Sequence, residues 1–242
     1  MSKNYNVFMP LCICLLASLN QKRASATDKN LVQAMEIKES TPVHEITDPH
    51  PSPILIDTTR AIKMSFEQLP KIRYIDSDFL LINEEHTFSL VPQTNENYII
   101  LDNRRYDLKQ CHFHVPVKHE IDGNFNHMEL HIVHVNSNGD HTILGVFFQL
   151  GEENHMLQEA FEKSNQISQN QFLLTLKINL RDLIPYKTKI LRYEDFQNNR
   201  EIQWILCGKP ISLSSEQLNS FIEHFGCHSR ISRPNAGPIL YY

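Results

Sequence analysis

Of the 13 histidines in this chain, six crowd between positions 111 and 135: His112, His114, His119, His127, His131 and His134. His112 and His114 stand two residues apart in the run Leu108–Val115. Side chains alternate faces along a strand, so both rings point the same way. His131 lies in a second run, Met128–Val135, on one face with Glu129, Val133 and Val135. If the two runs pair antiparallel across Asp122-Gly123, three imidazoles converge. Three neutral nitrogen donors leave one tetrahedral position of zinc open. A catalytic zinc is held that way, and it lowers the pKa of a bound water to about 7. Gln110 precedes His112 by two residues and Glu129 precedes His131 by two. Each therefore shares its histidine's face and can hold the second ring nitrogen. A carboxylate on an inward face needs such a partner, because burying it alone is costly. A His-x-His pair by itself is more often a pair of hydrogen-bonded strand histidines. On the residues alone, that reading and a metal centre both stand.

The surrounding pattern predicts the elements that must hold these side chains. Strand-like runs recur at Phe79–Ile82, Thr87–Val91, Tyr98–Leu101, Leu108–Val115, Met128–Val135, Thr142–Leu150, Phe172–Ile178 and Ile202–Leu206. Turn residues such as Asp122-Gly123 and Asn138-Gly139-Asp140 separate some of them. Two helices are predicted. Glu153–Lys163 carries Met156, Leu157, Ala160 and Phe161. Ser214–Phe225 opens on a Ser-Ser-Glu-Gln cap and sets Leu218, Phe221, Ile222 and Phe225 on one face. The fold class is therefore predominantly β (α+β), a single sheet-dominated domain over residues 51–242 with a few short helices.

The chain has 242 residues, 41% hydrophobic and 21% charged, an ordinary globular composition. Its net charge of −5, with no Lys/Arg-rich run, argues against a nucleic-acid partner. Beyond the N-terminus no apolar stretch is long enough to span a membrane. Residues 1–26 hold Lys3, Lys22 and Arg23, no acid, an apolar run from Val7 to Leu19, and Ala24-Ser25-Ala26. They read as a secretory signal peptide cleaved after Ala26, which places the mature protein outside the cell or in a periplasm. Residues 27–50 are a polar lead-in or linker. Of the five cysteines, Cys111, Cys207 and Cys227 remain after cleavage. An odd count permits one disulfide and leaves a free thiol.

The ordered motifs resemble the alpha-class carbonic anhydrases in their bacterial form. Gln110-Cys-His-Phe-His-Val-Pro-Val-Lys-His-Glu-Ile-Asp-Gly123 is similar to the family segment QFHFHTPSEHTVNG. Glu129-Leu-His-Ile-Val-His134 resembles ELHLVH, and Ile143-Leu-Gly-Val-Phe147 resembles VLGVF. Leu183-Ile-Pro185 resembles LLP. Trp204-Ile-Leu206, with Lys209-Pro-Ile-Ser-Leu-Ser-Ser-Glu-Gln217 after it, is similar to WxVL…PIxxSxxQ. Ser52-Pro-Ile-Leu-Ile56 and Arg233-Pro234 resemble the terminal SPVNI and RP. The resemblance covers roughly residues 50–240.

It implies a central twisted, mostly antiparallel sheet with Zn2+ at the bottom of a cone, bound by His112, His114 and His131, with Gln110 and Glu129 behind them. It implies attack of zinc-bound hydroxide on carbon dioxide to give bicarbonate and a proton. Val133, Ile143 and Trp204 match the apolar pocket for carbon dioxide, and also suit plain core packing. His86, in Asn83-Glu-Glu-His-Thr-Phe88, matches NGHAF, whose histidine shuttles protons.

Two positions depart from the family. Where its SEH segment has a Glu that buttresses a hydroxide-orienting Thr, this chain has Lys118, before His119. Glu120 lies two residues on, out of register. The GSLTTPP loop that supplies the Thr has no counterpart between Leu191 and Gln203, a shorter stretch with neither Thr nor Pro. The resemblance thus implies an enzyme of reduced activity or, alternatively, a catalytically inactive carbonic-anhydrase-like binding module.

Overall fold

The two histidine-bearing runs fold as adjacent antiparallel strands, and the rest of the chain is built outward from them. The computed structural model describes residues 54–166, 172–197, 200–227, 233–234 and 237–242. The predicted leader 1–26 and lead-in 27–50 lie outside the described residues. In chain order the strands are β1 (Ile54–Ile56), β2 (Ile62–Lys63), β3 (Lys71–Arg73), β4 (Ser77–Asn83), β5 (Phe88–Pro92), β6 (Tyr98–Leu101), β7 (Arg104–His114), β8 (Glu120–Ile121), β9 (Met128–Val135), β10 (His141–Leu150), β11 (Phe172–Ile178), β12 (Ile190–Gln197), β13 (Arg200–Cys207), β14 (Ile211–Leu213), β15 (Arg233–Pro234) and β16 (Leu240–Tyr241). Two α-helices are described, α1 (His155–Ser164) and α2 (Ser215–Phe225).

Thirteen strands form one mixed sheet, with the path β11-β4-β5-β7-β9-β10-β13-β12-β16-β2 and with β3, β6 and β14 attached beside it. Most neighbours run antiparallel; β10–β13, β10–β14 and β16–β2 are parallel. The strands β15, β1 and β8 form a small parallel sheet. Among the described residues, no helix is long and apolar enough to cross a membrane.

The sheet's two faces differ in chemistry. On β7, Cys111 and Phe113 are buried and alternate with Gln110, His112 and His114, which are half-buried. The Phe113 face packs under both helices. Phe88 stacks at 4.8 Å from Phe113, and its ring also meets Phe161 of α1 and Phe221 and Phe225 of α2. This aromatic layer anchors the strands from behind. A capping box fixes α2: the Ser214 hydroxyl accepts from Gln217 N–H at 3.2 Å, and the Gln217 side chain accepts from Ser214 N–H at 3.1 Å. The Ser-Ser-Glu-Gln signal in the sequence forms this cap.

Cys111 and Cys207 are buried free thiols, and geometry keeps these two from forming the disulfide that the odd count permitted. They sit on β7 and β13, separated by β9 and β10. Three inter-strand steps span about 14 Å, twice the Cα separation a disulfide tolerates.

Candidate metal centre

Pairing register decides what the histidines can do. In the β7–β9 ladder His112 stands directly opposite His131, His114 opposite Glu129, and Gln110 opposite Val133. A bulge between Leu108 and Gln110 leaves Lys109 unpaired and shifts the phase of β7, so that Asp107 comes to share the face of Gln110, His112 and His114. The ring centroids of His112, His114 and His131 lie 4.4–5.4 Å apart. One ligand atom from each falls within 4.8 Å of the others. A tetrahedral zinc would draw such nitrogens to about 3.3 Å, a change within reach of small ring rotations.

Glu129 organises the group from behind. It is fully buried, and its two oxygens receive four hydrogen bonds. Oε1 accepts from His119 Nδ1 at 2.6 Å and from His131 Nε2 at 2.7 Å. Oε2 accepts the backbone N–H of Lys118 at 2.7 Å and of His119 at 3.0 Å. Burial alone would raise its pKa. The His119 and His131 rings and their hydrogen bonds overcome that and hold the carboxyl well below the usual range. An ionised carboxylate only accepts, so Nε2 of His131 carries the proton and Nδ1 keeps its lone pair. The same logic puts a proton on His119 Nδ1, leaving its Nε2 to accept from the Tyr193 hydroxyl at 2.7 Å. On the other strand the Gln110 amide nitrogen lies 3.5 Å from His112 Nδ1; turning the amide by 180° would bring its oxygen there to accept from Nδ1–H, the arrangement that leaves the Nε2 lone pair for a metal.

Burial holds His114 well below an ordinary histidine, and the neighbouring His131, His112 and Lys118 charges add to this. Burial also lowers His131, against the opposing pull of Glu129. Neutral imidazoles are the form that binds a metal. The donor set fits zinc: three imidazoles, two with the second ring nitrogen engaged.

The apolar residues named from the sequence continue the same face. Val133 stands opposite Ile143 and Ile143 opposite Trp204. Trp204 meets His131 at 5.0 Å and His119 at 4.7 Å edge-on, and stacks with Tyr193 at 5.9 Å. Gly145 lies opposite His131. A Cβ there would approach Leu206 Cδ2 to 2.7 Å, while Glu129 Oε1 at 3.4 Å would be in ordinary contact, so the glycine makes room for the Leu206 side chain beside the carboxylate.

His86 is placed in the β4–β5 turn, half-buried, with Nε2 3.7 Å from the Glu85 carboxylate. It is not in the metal-competent group. Lys118 is 6% exposed, and burial pushes its ammonium down to about 8 against the attraction of Glu129. Glu120 sits on β8, paired with Leu55 of β1, and burial raises its pKa.

The stretch before Trp204 forms strand rather than loop. β12 and β13 pair residue for residue from Ile190↔Cys207 to Gln197↔Arg200. Behind it, buried Arg192 donates to Asp102 Oδ2 at 2.8 Å and to the Gln203 side chain, which bonds Glu194 and Glu201 in turn. Sequence reasoning gave no role to His119, Tyr193 or Gly145. The His119–Tyr193 bond joins residues 74 apart, and no local spacing signals it.

Known proteins agree with this geometry. The family model for eukaryotic-type carbonic anhydrase matches residues 38–234. A carbonic anhydrase of Pectobacterium atrosepticum is 31% identical over 169 residues, covering 67% of this chain and 68% of that protein. One of Klebsiella pneumoniae is 29% identical, covering 70% of each. The solved alpha-carbonic anhydrase of Thermovibrio ammonificans, in complex with the inhibitor sulfanilamide, superposes with a TM-score of 0.69 at 31% identity, covering 81% of this chain and 88% of that one. From the match over most of its length, together with the paired histidine strands, this chain belongs to the eukaryotic-type, or alpha, carbonic anhydrase family.

Proposed function

We propose that this chain is a zinc enzyme that interconverts carbon dioxide and water with bicarbonate and a proton. The observation that carries the reading is the convergence of His112, His114 and His131 on one face, with His131 Nε2 fixed by the buried Glu129 carboxylate. When bound, zinc supplies a Lewis acid that brings the pKa of a water to about 7. The protein does the rest. His131 offers Nδ1, and His112 and His114 complete the set. Glu129 holds the His131 tautomer, and Gln110 stands against the second ring nitrogen of His112. Val133, Ile143 and Trp204 give an apolar wall where carbon dioxide rests and competing polar ligands find no partner. His86, by its match to the family's shuttle position, carries the proton toward solvent. Residues 1–26 direct the chain out of the cytoplasm and are removed; N-terminal sequencing of the exported protein should begin at Thr27.

The second reading, a non-catalytic binding module of the same fold, is favoured by two observations. The β12–β13 hairpin is uninterrupted where the family's Thr-bearing loop is expected, and the buried Lys118 cation stands where that loop's Glu partner would be. Loss of one oriented hydrogen bond at a transition state costs on the order of a hundredfold, and a nearby cation disfavours zinc.

Stopped-flow hydration of carbon dioxide by residues 27–242, with zinc content on the same sample and His112→Ala as the blank, separates the two. One zinc per chain and hydration above the blank is expected. Absence of hydration, with zinc bound or with the site empty, establishes the binding module instead, and a chain that takes up no zinc also overturns His112, His114 and His131 as working ligands.

A further inference from the structure

The register continues past the apolar wall to a rung in which five strands place Asp107, Val135, His141, Ile202 and Asp195 side by side on the face that carries the metal-competent histidines. Val135 stands opposite both Asp107 and His141, His141 opposite Ile202, and Ile202 opposite Asp195. Along β10 this face shows His141, Ile143 and Gly145, and Gly145 is the partner of His131. His141 and Ile143 are half-buried while Thr142, Leu144 and Gly145 are buried, so this face opens to solvent at its His141 end. From the geometry we infer that His141 is a proton-relay residue at the mouth of the metal centre. The inference rests on the hydration reading above and adds to it a second exit for the proton.

Four residues of strand separate His141 from the His131 rung, about 13 Å. Side chains do not close that gap, but bridging water does. The intervening rung holds Gln110 at one end beside Val133, Ile143 and Trp204, which gives such water a polar anchor. Water at the centre loses one proton, a His141 ring nitrogen gains it, and buffer base takes it on, returning the ring to neutral. An imidazole is suited to both transfers near neutral pH. Among the described residues, the register flanks His141 with carboxylates two strands away on either side, Asp107 and Asp195, and the chain places Asp140 next to it. Arg105 binds Asp107 at 2.8 Å and Arg104 lies 3.7 Å from Asp140. Carboxylates on both flanks favour the imidazolium while it holds the proton.

The test compares zinc-loaded parent, His141→Ala and His86→Ala in dilute and in imidazole-rich buffer. For His141→Ala, kcat should fall on the order of tenfold in dilute buffer, recover with imidazole, and leave kcat/KM, zinc content and melting temperature at parental values. A fall in kcat/KM along with kcat, or no rescue, makes His141 a packing residue and overturns the relay. A loss confined to His86→Ala overturns it as well. A parent that hydrates no carbon dioxide fails the functional reading itself and the relay with it. Independently of turnover, the His141 ring in the zinc-loaded chain should titrate by NMR near neutral pH. A ring fixed in one protonation state across that range overturns the relay.

Discussion

The β7–β9 pair and the β12–β13 pair flank β10 in the same sheet, yet they carry opposite kinds of information. In β7–β9 the chemistry is intrinsic to the strands. Gln110, His112 and His114 repeat at every second residue, and their partners Val133, His131 and Glu129 do the same. Two-residue periodicity alone turns all six to one face, and only the antiparallel register remains to be set. In β12–β13 the contribution is relational. Tyr193 and Trp204 matter because they meet His119 and His131, and Arg192 because it reaches Asp102 on the β6–β7 turn. A metal centre can thus rest on a locally coded pair of strands and be finished by a pair whose role exists only in the folded chain.

The sharpest way to break this comparison is through Glu129, where the two regions join. Glu129→Ala strips partners from His119, His131 and two buried backbone N–H groups. Removing one side of a buried charged cluster costs about 3–5 kcal/mol, and loss of a group behind a metal ligand costs about 10–100-fold in affinity. Denaturant unfolding and competition with a zinc chelator should register both effects. Tyr193→Phe, which touches the cluster only from β12, should cost much less on both readouts. Equal losses would erase the distinction between the two pairs.

A second probe uses the opposite face of β9. His134 bonds the Tyr74 hydroxyl at 2.9 Å, and burial holds its pKa down to about 4, against an ordinary 6.5. A depressed histidine stabilises the fold above its unfolded pKa. That stability drains as pH falls from 6.5 toward 4, because the unfolded chain takes up the proton first. The loss is about 3 kcal/mol. Unfolding free energy measured across that range should fall less steeply in His134→Gln. An unchanged slope would remove His134 from the account.

Gly145→Ala tests the space left for the Leu206 side chain on β13, which its Cβ would approach to 2.7 Å beside the Glu129 carboxylate. Overpacking of this kind costs about 1–3 kcal/mol, read as a lower melting temperature together with weaker zinc retention. The smallest effect expected is from Lys118→Gln. Removing a buried cation beside His114 and His131 should tighten zinc binding, by about tenfold on the scale of groups behind a metal site. Weaker binding would show that the ammonium supports the centre rather than opposing it.

Legibility in the sequence follows the same division. Tyr98–Leu101, Met128–Val135 and Phe172–Ile178 form strands with the bounds their alternation predicts. The capping residues of α2 announced it. β12 was not among the predicted runs, since its alternation of polar and apolar residues gives way to charges at Glu194 and Asp195. The strand forms because buried Leu191 and Tyr193 face one way while Arg192 finds Asp102 and Gln203 on the other. Asp102 itself sits at φ 49° in a two-residue hairpin turn with Asn103 at φ 61°, a conformation that presents its carboxylate to a strand 90 positions on.

The sequence by itself determined which residues share a face, because the strand repeat of two is a property of the backbone and needs no partner. It thereby determined the candidate ligands His112, His114 and His131 and the two groups behind them. The tertiary structure alone decided that Glu129 also holds His119, that Tyr193 closes that chain of hydrogen bonds, and that Gly145 leaves room for Leu206. Those contacts join strands far apart in sequence, and a buried charge must find its partners in space whatever their place in the chain.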